Sequence, residues 1–243
     1  MSDEFDPRLD AALARIAQER QPEDESEERL GTARARVARE RGLVATLRGL
    51  STRHRVALAG VVLAMLGAIV LGINGREDLG QYPMLRLVIE GGLSAGLSLG
   101  LAAVALTGPH RPVPSPRAAW ILAGAALVLP LFLALVPPAD LMLPGAKGGE
   151  HTFGRDALAC FVYGLAAALP VMGILVLLQR IPPTGPRIAA IAAASAGLGG
   201  VMALQMHCPI AMQEHLLVGH ATVPLAALLA ALLLRRAFGA TSS

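Results

Sequence analysis

From residue 56 onward the chain alternates long apolar stretches with short polar breaks. Six stretches are close to or above the roughly 20 residues that a helix needs to cross the hydrocarbon core of a bilayer. They cover 56–73, 83–106, 118–136, 157–178, 188–206 and 216–234. Their apolar residues run on without alternating, which predicts helices and not barrel strands. Before residue 56 the pattern changes. "FDPRLDAALARIAQERQ" opens with Asp6 as N-cap and Pro7 at the first helical position, and sets Leu9, Leu13 and Ile16 on one face. The acidic linker "PEDESEE" leads to a second amphipathic run, with Leu30, Val37, Val44 and Leu47 among Arg34, Arg36, Arg39 and Arg41. The expected architecture is all-α and polytopic: a cytoplasmic helical segment (1–55), a six-helix transmembrane bundle (56–236) and a short cytoplasmic tail (237–243).

Composition sharpens this picture. Only 16% of the 243 residues are charged, against about 25% in an ordinary soluble domain. Of the 39 charged residues, 22 precede Val56. The chain opens "MSDEFDPRLD", acidic and unlike a secretory leader, so the first 55 residues are expected to stay soluble. Arginine and lysine are distributed fourteen to three between the two sets of flanks, which puts both termini in the cytoplasm. A formal charge of +3 is too small to argue for direct nucleic-acid binding. Neither a nucleotide-binding loop, an HExxH helix nor a nucleophile elbow is present, so no enzymatic activity is expected.

Small and polar residues inside the spans carry the next layer. Gly92, Gly96 and Gly100 recur every four residues on the second span. They offer a flat face for close helix packing, within the bundle or against a second copy. The fifth span repeats the device around Ala193, Gly197 and Val201. Arg86 and Glu90 stand one turn apart in the second span, about 10 Å from its outer end. Ionisable groups at such depth pair with one another or face the bundle interior. A small metal or solute transporter is the alternative such a pair allows. The two amphipathic stripes before the first span cannot bury themselves alone; their outlets are each other, the membrane surface or a protein partner.

On this topology Cys160, near the start of the fourth span, and Cys208, at the end of the fifth, fall at the same outer face. His151, His207, His215 and His220 lie at or near it. Three readings stay open: a disulfide, a metal ion bound by thiolate and imidazole, or polar side chains resting at the interface. His215 and His220 are five residues apart, about 140° around an α-helix, so they are not expected to share a face.

The last ninety residues resemble the NrsF-type family of six-span bacterial membrane anti-sigma factors. The features that carry the likeness are Cys160, Pro170, Arg180 with Pro182 and Pro183, Gly197 to Gly200, and His207-Cys208-Pro209. Gly219 and His220 stand where relatives often have Trp or Tyr. The resemblance implies a protein of the bacterial cytoplasmic membrane that holds an extracytoplasmic-function sigma factor through its N-terminal segment and releases it on a signal. It also implies that Cys160 and Cys208 take part in sensing metal or oxidative stress. No cofactor is required on this reading, although a metal ion at the outer face is compatible with it.

Overall fold

The computed structural model describes residues 42–76, 78–80, 82–107, 114–136, 153–179, 186–210 and 212–239. The chain divides into two units, 1–46 and 47–243, and the account below concerns the second. The expected partner-binding residues Leu9, Leu13, Ile16, Leu30 and Val37 lie outside the described residues, as does His151. Val44 lies on a short helix, α1 (Leu43–Gly49), and is exposed.

The six expected spans are α2 (Thr52–Asn74), α3 (Met84–Ala105), α4 (Pro116–Leu135), α5 (Phe153–Leu178), α6 (Pro186–His207), and a composite sixth that starts at α7 (Gln213–His215) and continues into α8 (Val223–Gly239). All six are long and apolar enough to cross a membrane, and no strand occurs among the described residues. Many large apolar side chains, including Ile69, Leu85, Ile121 and Leu169, point away from the bundle. A surface this apolar suits lipid and would be untenable in water.

Local chemistry accounts for the helix starts. Ser51 caps α2, its hydroxyl accepting from the His54 amide, so the helix begins four residues before the apolar run does. Ser115 caps α4 in the same way, with Pro116 pre-set for the first helical position. Hydropathy cannot see a capped polar first turn, which is why the expected first span starts late.

The centre of the bundle is α6. Every residue from Ala190 to Gln205 is buried, and α6 touches each of the other five spans. Its composition explains this position: alanine and glycine let five neighbours approach one backbone. Gly200 sits beneath the Gly164 carbonyl of α5, and Gly197 beneath Pro224 of α8. Between α3 and α6 the hydroxyls are exchanged: Ser98 Oγ donates to the Ser195 carbonyl and Ser195 Oγ to the Ser98 carbonyl, both at 2.8 Å. The Ser98 and Ser195 hydroxyls are thereby both satisfied across the interface.

Of the two outlets expected for the glycine stripe of α3, packing within the bundle is corrected here. Within the described bundle, Gly92, Gly96 and Gly100 do not form a packing face. A methyl group added at any of them would meet nothing within 4 Å. The face of α3 that packs is the neighbouring one, with Gly91, Ser94, Ser98 and Ala102. Gly96→Ala is therefore expected to leave thermal stability in detergent unchanged within about 0.5 kcal/mol. A loss above about 1 kcal/mol would show that the glycine stripe is covered.

Candidate functional site

The site lies at the end of the bundle where α5 starts and α6 ends. Cys160 projects from the second turn of α5. Cys208 comes just after α6, its amide continuing the helical ladder to the Leu204 carbonyl at 2.8 Å. Pro209 then prevents the helix from going on. The two sulfurs are 3.5 Å apart, and both residues are buried free thiols. A disulfide would require that distance to fall to about 2.05 Å.

The histidines arrive from the beginning of the sixth span. After α7, residues Leu216–His220 form a π-turn, closed by the Ala221 amide donating to the Leu216 carbonyl at 2.9 Å. A π-turn closes its hydrogen bonds over five residues instead of four. It therefore returns residue 220 to the side that residue 215 occupies. The rings of His215 and His220 meet edge to face, with centroids 5.6 Å apart. The expectation that they cannot share a face is thus corrected, because it assumed α-helical geometry. Two neighbours favour the wider turn. Pro224 has no N–H to offer the His220 carbonyl four residues back, and its ring crowds that carbonyl. Gly219 presses on α5: a side chain there would stand 3.1 Å from the Ala157 carbonyl oxygen and 3.4 Å from Cys160 Cβ.

The result is a cluster of four buried side chains. Cys160, Cys208, His215 and His220 each offer one ligand atom, and these atoms all lie within 4.8 Å of one another. His215 Nε2 is 3.2 Å from Cys208 Sγ. His220 is 2% exposed, and neither of its ring nitrogens has a hydrogen-bond partner. Burying such a group unsatisfied costs about 1–3 kcal/mol. The hydrogen bond to Cys160, and then burial, push the Cys208 thiol up from its ordinary range. His207 is not part of the cluster; its ring stacks on Tyr163 of α5 at 4.3 Å.

A second polar network adjoins Cys208. Arg86 and Glu90 form an ion pair, Nε to Oε1 at 2.6 Å, and Arg86 also donates to the Val136 carbonyl. Tyr82 donates to the other Glu90 oxygen at 3.1 Å. Burial, and then the Glu90 charge, push the Tyr82 phenol up, so it stays a donor. Arg76 lies over the Tyr82 ring, 3.7 Å from its centroid, and holds Asp78 through two 2.9 Å bonds. From there it donates to the Gln205 carbonyl at the end of α6. Arg76, Tyr82, Glu90, Gln205 and Cys208 border a cavity of about 10 Å³, room for a single water. Arg76, Asp78 and Tyr82 were not legible as site residues. In sequence they are loop charges and one aromatic, and only the return of the chain onto the end of α6 joins them to the cysteine.

At the opposite end of the bundle, α5 is tied to the segment that precedes the first span. Arg48 Nε donates to the Leu177 carbonyl at 3.3 Å, and Arg55 Nη1 to the Leu178 carbonyl at 3.1 Å. Arg55 is 1% exposed. The last carbonyls of a helix have no partner within it, and cations are favoured there. One helix thus joins the two ends, with Cys160 near its start and two arginines at its finish.

The family model described as negative regulator of sigma F, NrsF, matches residues 41–238, from just before α1 almost to the end of α8. No curated protein and no solved structure matches the chain. With more than four-fifths of its length covered by that model, the chain belongs to the NrsF family of negative regulators of sigma F.

Proposed function

We propose that this chain is a membrane-bound anti-sigma factor of the bacterial cytoplasmic membrane, with both termini in the cytoplasm. Its N-terminal segment holds a sigma factor of the extracytoplasmic-function class away from RNA polymerase. The Cys160–Cys208 end faces outward and receives the signal. A change at that end shifts α5 against α6 and so alters the arginine ties at the cytoplasmic end. The observation that supports this reading is the double attachment of α5: Cys160 meets Cys208 at one end, while Arg48 and Arg55 grip its final carbonyls at the other. Close-packed helices move as rigid bodies with few alternative arrangements, which suits a two-state switch.

Two experiments test it. The full-length chain in detergent, co-expressed with each candidate sigma factor, is expected to retain one of the extracytoplasmic-function class; retention of none sinks the reading. The double variant Arg48→Ala, Arg55→Ala is expected to remain membrane-inserted but to uncouple target transcription from the stimulus. Each lost bond leaves a terminal carbonyl unmet, at about 1–3 kcal/mol where buried. A wild-type response in that variant would remove α5 as the link.

A further inference from the structure

We propose that Cys160, Cys208, His215 and His220 form a four-coordinate site for a divalent cation of the zinc class. The idea deepens the sensing role proposed above, but its chemistry stands on the cluster alone. Four ligand atoms of the two types such ions prefer converge from three separate pieces of chain: α5, the end of α6, and α7 with the π-turn that follows it. Bonds of about 2.3 Å to sulfur and about 2.0–2.1 Å to nitrogen make a tetrahedron with edges of about 3.3–3.8 Å. The sulfur–sulfur distance of 3.5 Å and the 3.2 Å from Cys208 Sγ to His215 Nε2 are close to two of those edges. The remaining pairs lie within 4.8 Å of one another and need to close by at most about 1.5 Å.

His220 is the independent sign. A buried imidazole with neither nitrogen hydrogen-bonded, standing beside a thiol pair, has a lone pair without an acceptor. A cation at the centre of the cluster supplies one. Charge points the same way. Two thiolates and two neutral imidazoles around a dication sum to zero, so the loaded site buries no net charge near the membrane interior. The two thiol protons leave for solvent as the ion enters. Two sulfurs and two nitrogens in tetrahedral order favour zinc over the hard ions calcium and magnesium, which take oxygen ligands.

Cobalt(II) is the probe, added to the reduced full-length chain in detergent. The expected result is one cobalt per chain, with the near-ultraviolet charge-transfer band of a thiolate-bound ion and the strong visible bands of a four-coordinate one. Zinc should abolish both bands by displacement. His220→Ala and His215→Ala should each weaken binding by at least the roughly 100-fold that even an outer-shell partner can contribute. His207→Ala, whose ring is stacked on Tyr163, should not. Helicity by circular dichroism separates a lost ligand from a lost fold. A reduced wild-type chain that shows no thiolate–cobalt band overturns the proposal. So does binding that survives in the His215→Ala, His220→Ala double variant. Retention of the sigma factor is read on the same samples, so a failed metal site and a failed anti-sigma role give different results.

Discussion

Gly200→Ala is expected to destabilise the bundle by about 3 kcal/mol or more, the upper end of what overpacking costs in protein cores. The added methyl would stand 2.3 Å from the Gly164 carbonyl oxygen, 3.1 Å from its carbon and 3.2 Å from Val223 Cγ1. The first of these is a backbone atom on a neighbouring helix, so no rotamer change relieves the contact. Either α5 or α8 must back away from α6, and in lipid nothing replaces the lost contact, because helix association there rests on close packing itself. The same displacement disturbs the site: Gly164 is one turn from Cys160, and Leu204, one turn beyond Gly200, carries the carbonyl that holds the Cys208 amide. Thermal unfolding in detergent is the measurement, with Gly96→Ala as the neutral reference. Two variants of equal stability would contradict the packing described for α6.

The contrast between these two glycines marks where the sequence stops being legible. Six spans could be read because the bilayer imposes length and continuity on any helix that crosses it. The crowded centre could also be read in part, since the alanines and glycines of α6 have few uses besides close approach. The face of α3 could not. Gly92, Gly96 and Gly100 form a better stripe on paper than Gly91, Ser94 and Ser98, yet only the second set is buried. Lipid and protein interior are both apolar, so hydrophobic periodicity does not distinguish them. The buried face carries the pairing of Ser98 with Ser195, a contact between residues 97 apart. The site was legible only as far as its ends: topology brings Cys160 and Cys208 to one face, 48 residues apart in sequence. The convergence of His215 and His220 depends on a π-turn, for which the chain carries no periodic signal. Its local causes, Pro224 and Gly219, acquire that meaning only once α5 is seen behind them.

Cys160→Ser and Cys208→Ser are each expected to abolish the transcriptional response to thiol oxidants and to zinc-class ions. The ratio of stimulated to unstimulated target transcript should fall to about one. Serine keeps nearly the volume of cysteine, so the packing around Val201, Leu204 and Val223 is largely preserved; its hydroxyl costs about 1–3 kcal/mol where it finds no hydrogen-bond partner. What serine removes is the chemistry. At neutral pH it is neither a thiolate ligand nor oxidisable to a disulfide. Either single change also leaves the other cysteine without its 3.5 Å sulfur partner, so both variants should fail alike, whichever stimulus is used. His220→Ala separates the two chemistries that the pair could serve. It removes a ligand but no sulfur, so it should blunt the response to metal and leave the response to oxidant. A full response to both stimuli in both serine variants would show that the cluster is structural and that the signal enters elsewhere. Loss of the metal response in His220→Ala, with the oxidant response intact, would assign the cysteines to both signals and the histidine to one.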